Sequence, residues 1–202
     1  MHTHPTTPGQ GLVLSLFDLT GNMVKPWASA GYRTLCIDQQ RDGTDIRSWL
    51  PPRTNYRIVF AFPPCTDVAV SGAKHFRDKG LAGLASAIEL LERARDICEW
   101  AEAPWMIENP ISTFSSYWRQ PDYIFNPCDY TFFEPTDNYT KKTCIWAGNG
   151  FVMPEPNPDL SLGEPDDRIH KAPPGPGRSN FRSATPMGFA RAVFAANTGY
   201  GQ

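Results

Sequence analysis

The sequence predicts one α/β domain, a mostly parallel sheet with helices on both faces. Three observations predict it. Apolar runs of strand length alternate with segments of helical periodicity, the order that builds a parallel sheet with covering helices. The chain has 202 residues, 41% hydrophobic and 20% charged, enough for one core and too few for two full-sized domains. Polar and conformationally special residues collect just after the apolar runs, where such sheets bind ligands.

Leu12 to Leu19 (LVLSLFDL) reads as a buried strand closed by a turn at Thr20-Gly21-Asn22. Met23 to Ala30 suits a helix, with Pro26 in its first turn. Tyr32 to Ile37 is a second strand ending at Asp38, and Asp42-Gly43-Thr44-Asp45 is a turn. Tyr56 to Phe62 (YRIVFAF) is a third strand, stopped by Pro63-Pro64. The clearest helix runs from Leu81 to Ala103, where Leu84, Ile88, Leu91, Ala94, Ile97 and Cys98 recur at three- and four-residue steps. Pro104 stops it. Trp105 to Ile107 is a fourth strand, ending at Glu108-Asn109-Pro110. Thr143 to Ala147 is a later strand, and Met187 to Asn197 a closing helix. Residues 1–10, with His2 and His4, read as a disordered tail ahead of a single domain over 11–202.

The 20 prolines are about twice ordinary usage and crowd the second half, which predicts extended and turn structure there. Residues 148–181 in particular read as an extended loop region. A net charge of −2 argues against a broad grip on duplex phosphates, so any nucleic-acid contact falls to a local patch. Arg168, His170, Lys171, Arg178 and Arg182 form the concentrated positive run, either a phosphate-binding edge or a solvated tail. The five cysteines are odd in number and lack CxxC spacing, so neither a metal site nor a disulfide framework is expected. No stretch is apolar enough for a membrane, and a reducing cytoplasm is the expected setting.

Phe62-Pro63-Pro64-Cys65-Thr66 fixes the backbone directly after a strand and presents a thiol at the sheet's edge. A cysteine displayed there is a nucleophile if its surroundings lower its pKa. Cys36, Cys98 and Cys144 lie within apolar periodicity and read as core residues instead. Glu108-Asn109-Pro110 ends the following strand, and a carboxyl beside the thiol can be held protonated as a proton donor.

These motifs resemble the DNA cytosine-5 methyltransferases. Pro63-Pro64-Cys65 looks like that family's nucleophile loop, and Ser71-Gly72 like its continuation. Glu108-Asn109-Pro110 resembles its Glu-Asn-Val, and Leu16-Phe17-Asp18-Leu19-Thr20-Gly21 its Phe-x-Gly-x-Gly cofactor loop, with Leu19 at the first glycine. Tyr139-Thr140-Lys141-Lys142-Thr143 is similar to a degraded Gln-x-Arg-x-Arg. The arrangement most resembles short phage-encoded DNA methylases without a target-recognition domain, over Leu12 to about Ala147 with an echo in Arg182 to Asn197.

The resemblance implies a Rossmann-like methyltransferase fold, S-adenosylmethionine as cofactor and cytosine in DNA as substrate, flipped out or single-stranded. It implies Cys65 as nucleophile, Glu108 as the group facing N3, Asn109 as an orienting residue and Lys141 as a contact to base or phosphate. For the cofactor it implies Phe17 and Asp18, backbone amides at Thr20, Gly21 and Asn22 for the carboxylate, and Asp38 for the ribose hydroxyls. Asp45 and Ile46 would meet the adenine, with Pro63 nearby. Arg182 would suit an anionic group on an altered donor such as carboxy-S-adenosylmethionine. With no recognition domain, sequence specificity is low or comes from a protein partner. The acidic charge keeps RNA or a free cytosine nucleotide open as the acceptor. A non-enzymatic alternative is an inactive cofactor-binding accessory or a DNA mimic. The aromatic stretch from Phe114 to Phe133 reads as a core-packed loop or a base-stacking surface.

Overall fold

The computed structural model describes residues 11–173, 175 and 177–199; the expected tail at 1–10 and the side chain of His170 lie outside the described residues. The strands are β1 Leu12–Leu16, β2 Arg33–Ile37, β3 Tyr56–Ala61, β4 Trp105–Pro110, β5 Tyr123–Phe125 and β6 Thr143–Gly148. They form one six-stranded sheet in the order β2-β1-β3-β4-β6-β5. β2, β1, β3 and β4 run parallel, while β6 is antiparallel to both β4 and β5. The helices are α1 Lys25–Ser29, α2 Gln39–Asp42, α3 Phe76–Trp100, α4 Phe114–Tyr117, α5 Arg168–Lys171, α6 Arg178–Ser183 and α7 Met187–Thr198.

Strand alternation assigns the core to two faces. Leu12, Leu14 and Leu16 pack with Val59, Ala61, Trp105 and Ile107 against Ala87, Leu91, Ala94 and Ile97 of α3. Val13, Ile58, Phe60, Met106 and Ile145 face the other way, toward Trp27 of α1 and Phe189, Ala190 and Val193 of α7. Every residue of β1 is therefore buried, as a strand covered on both faces requires. α7 is fixed at its start by Asp137, whose Oδ2 accepts from the Gly188 amide at 2.7 Å. The Phe189 ring stacks on Phe125 with centroids 4.0 Å apart.

The sheet and its two covered faces agree with the sequence reading; element ends differ. β1 stops at Leu16 because Phe17 takes a left-handed backbone, φ 58°, and turns the chain out of the sheet. β4 runs through Glu108 and Asn109 to Pro110, so the three residues expected at the strand's end are themselves strand residues. α3 begins earlier, yet Gly80 (φ 66°, ψ −172°) breaks it, and its continuous part starts at Leu81 as the periodicity predicts. It stops at Trp100, short of Ala103, with Glu102 at φ 51°. The turn expected at Asp42 is preceded by α2, and β5, α4, α5 and α6 are too short to leave a periodic signal. The aromatic stretch divides: Phe114, Phe125 and Tyr130 are buried, Tyr117 and Phe132 exposed. Among the described residues no helix is long and apolar enough to cross a membrane.

The β4–β6 seam is closely packed. Gly148 pairs with Trp105, and a Cβ on it would lie 2.4 Å from the Trp105 ring. Gly148→Ala should lower stability by about 1–3 kcal/mol through overpacking, read from urea midpoints. Gly72→Ala, where a Cβ meets nothing within 4 Å, should stay within about 0.5 kcal/mol.

Candidate active site

The strand order reverses across β1 and β3, and this is where ligands enter open α/β sheets. Two hydrogen bonds hold the three strand ends in register there. The Phe17 amide donates to the Ile37 carbonyl at 2.7 Å, and the Phe62 amide to the Leu16 carbonyl at 3.0 Å. The Phe17–Asn22 and Phe62–Cys65 segments thus leave the sheet side by side.

Asn109 fixes the cysteine loop. Its Nδ2 donates to the carbonyl of buried Pro63 at 2.8 Å. The chain then makes one tight turn, with Val68 and Ala69 amides donating to the Cys65 carbonyl at 3.1 and 2.8 Å. Thr113 N to Val68 O and Val70 N to Ile111 O, both 3.0 Å, zip the loop to the segment after β4. Lys79 adds a bond to the Thr66 carbonyl and an ion pair with Asp67 at 3.4 Å. Cys65 is half-buried at the top of this structure, its loop tied to the strand that carries Glu108.

Because β6 is antiparallel to β4, its first residue Thr143 pairs with Pro110, and Lys141 and Lys142 arrive where β4 ends. Glu108 is buried, and its Oε1 has no hydrogen-bond partner among the described residues. Burial pushes its carboxyl above the usual range, partly opposed by the charge of Lys141. Asn109 Oδ1 is likewise buried without a partner. These two groups leave unpartnered polar atoms on β4, and Glu108 is near enough to the Cys65 thiol to disfavour its ionisation.

The Cys65 thiol departs from expectation. The sequence reading requires a lowered pKa, whereas burial first, and the Glu108 carboxylate second, push it up. Lys141, a backbone hydrogen bond and Arg182 pull the other way without winning. The balance disfavours the Cys65 thiolate.

The expected cofactor residues separate into two groups. Asp18 builds its own loop: it is buried and accepts from Ser15 Oγ at 2.9 Å, Thr20 Oγ1 at 3.2 Å and the Gly21 amide at 2.7 Å. The Asn22 amide in turn donates to Thr20 Oγ1 at 3.2 Å. The Gly21 and Asn22 amides, expected to receive a carboxylate, are therefore already engaged. Asn22 Nδ2 donates to the Thr185 carbonyl at 2.9 Å, tying the loop to the start of α7. Phe17 packs half-buried against the core, and Ile46 lies within it, so only the backbone of Ile46 remains for a ligand. Asp45 bonds its own loop through the Arg47 amide at 3.0 Å. Asp38 keeps a free edge: Oδ1 caps α2 through the Gln40 amide at 2.7 Å, and Oδ2 has no protein partner among the described residues.

Arg178, a member of the positive run that reads as a phosphate-binding edge or a solvated tail, stands one helical turn before Arg182. The positive run itself divides. Arg168 pairs with Asp166 at 2.5 Å and Lys171 with Asp167 at 2.7 Å, whereas Arg178 and Arg182 join no ion pair among the described residues. No protein-family model matches this chain, and a search of curated proteins finds no match.

Two measurements check the electrostatics. Glu108 resists ionisation when folded but ionises freely when unfolded, so stability falls as pH rises above the ordinary carboxyl range. Glu108→Gln should therefore raise Tm at pH 8 and leave it nearly unchanged near pH 4. The same variant should speed iodoacetamide alkylation of Cys65 at pH 8, because the carboxylate that raises the thiol is gone; Lys141→Gln should slow it.

Proposed function

We propose that the protein transfers a methyl group from S-adenosylmethionine to C5 of cytosine in DNA through a covalent bond between Cys65 Sγ and C6. The observation that carries this reading is a strand-end thiol locked beside a buried carboxyl whose ionisation burial disfavours, at the mouth where the strand order reverses. The chemistry needs both groups. C5 of the aromatic ring is too weak a nucleophile to attack a sulfonium methyl. Addition of the Cys65 thiolate to C6, with Glu108 donating its proton toward N3, makes C5 enamine-like. When bound, S-adenosylmethionine supplies an electrophilic methyl group. After C5 takes the methyl group, with S-adenosylhomocysteine as the leaving group, loss of the C5 proton to a solvent base expels Cys65 as thiolate, and return of the N3 proton to Glu108 restores the ring.

Each named side chain has a role in this cycle. Lys141 and Arg182 are the charges that favour the Cys65 thiolate. Asn109 positions the nucleophile loop through Pro63, and its orphaned Oδ1 is an acceptor for the base. The residues fit the cofactor in part. Asp38 offers an open carboxylate oxygen for ribose hydroxyls, and half-buried Phe17 a ring edge, while the Gly21 and Asn22 amides are engaged. The cytosine must be out of the duplex for Cys65 to reach C6.

A second reading keeps the reaction and changes the donor. Arg182, without a carboxylate partner and close enough to act on Cys65, matches the extra carboxylate of carboxy-S-adenosylmethionine. RNA and free cytosine nucleotides stand beside DNA as acceptors, since the net charge of −2 favours no long duplex contact.

Incubation with deuterium-methyl S-adenosylmethionine and, separately, single-stranded DNA, duplex DNA, RNA and dCMP tests all of these by nucleoside mass spectrometry. Labelled 5-methyldeoxycytidine should form and vanish in Cys65→Ala; Glu108→Gln should lose about 10²–10⁴ in kcat. Folded protein that binds the cofactor yet labels no acceptor would sink the methyl-transfer reading.

A further inference from the structure

The net negative charge of the chain is not spread evenly. Five arginines away from the mouth are ion-paired: Arg47 with Asp45 and Glu89, Arg95 with Glu92, Asp96 and Glu99, Arg119 with Asp122, Arg168 with Asp166, and Arg191 with Glu134. Lys141, Arg178 and Arg182 join no ion pair among the described residues, although all three are half-buried.

α6 is anchored over the mouth from both sides. Asn180 Nδ2 donates to Gln40 Oε1 of α2 at 3.5 Å, and the Thr185 carbonyl just beyond the helix accepts from Asn22 at 2.9 Å. Arg178 and Arg182 stand one turn apart and share a face of this short helix. The Nε of each is buried and has no hydrogen-bond partner. A buried guanidinium donor without an acceptor is costly, and two on one face call for a shared acceptor. The charge of Arg182 reaches the Cys65 thiol, so this face belongs to the same mouth.

We infer that α6 is an oxyanion seat, in which the guanidinium groups of Arg178 and Arg182 receive a phosphate or carboxylate of the molecule that reacts at Cys65. A planar fork suits either group, since both offer paired oxygens to parallel N–H donors. The oxyanion is the phosphate of a cytosine nucleotide or the α-carboxylate of the cofactor, which the engaged Gly21 and Asn22 amides leave without a partner. The inference rests on the methyl-transfer reading for its two candidate ligands, but it is tested by binding alone.

Calorimetry on the full chain tests it with four probes in two pairs: dCMP against deoxycytidine, and S-adenosylhomocysteine against 5′-methylthioadenosine. Each pair differs in the anionic group. The double variant Arg178→Gln/Arg182→Gln should weaken the anionic member of one pair by about 10- to 100-fold and leave its neutral partner unchanged. Loss confined to dCMP assigns the seat to the acceptor phosphate; loss confined to S-adenosylhomocysteine assigns it to the donor carboxylate. Arg178→Lys/Arg182→Lys should recover part of the affinity, which a misfolded variant would not. Equal weakening within both pairs, no weakening in either, or failure of the wild-type protein to bind either anionic probe would overturn the seat. Methyl transfer is measured separately by label incorporation, so either idea can fail alone.

Discussion

The hydrogen bond from Asn109 Nδ2 to the Pro63 carbonyl is the tie on which the candidate site depends. It crosses between two parallel neighbours, β3 and β4, at the point where both leave the core. β3 delivers the cysteine loop and β4 delivers Glu108, so one side chain sets the relation between thiol and carboxyl. Proline carbonyls keep full acceptor strength while the ring fixes φ, which makes Pro63 a rigid point to hold. The pairing of 68–70 with 111–113 extends the same seam outward.

Low dielectric governs what this seam does chemically. Burial raises both Glu108 and Cys65, and Glu108 adds to the rise at Cys65, so ionisation of either group is disfavoured. A neutral carboxyl can donate a hydrogen bond, and a neutral thiol is protected from adventitious alkylation and oxidation. Lys141 and Arg182 supply the opposing field from β6 and α6, elements that reach the mouth from different parts of the chain.

The Phe17–Asn22 loop is a different kind of construction. Asp18 gathers three donors onto one buried carboxylate, and Thr20 closes the next amide, so the loop is satisfied from within. A glycine-rich loop would leave its amides open for a ligand; this one, with Leu19 at the first glycine position, does not. The anionic end of any bound cofactor therefore needs a partner from outside the loop.

The sequence by itself determined the sheet's main strands, the long helix from Leu81, the closing helix and the two-faced core, because hydrophobic periodicity is a local consequence of which side each residue must bury. It also marked Cys65, Glu108 and Asn109, since proline pairs and isolated polar residues at strand ends are local signals. Short elements such as β5 and α6 left no period to read. The strand order, the antiparallel entry of β6 that carries Lys141 toward Glu108, and the lack of an ion pair at Arg178 and Arg182 among the described residues were decided only by tertiary structure. So was the direction of the Cys65 shift. Charge balance and desolvation depend on which groups meet across the fold, and no spacing along the chain encodes that distance.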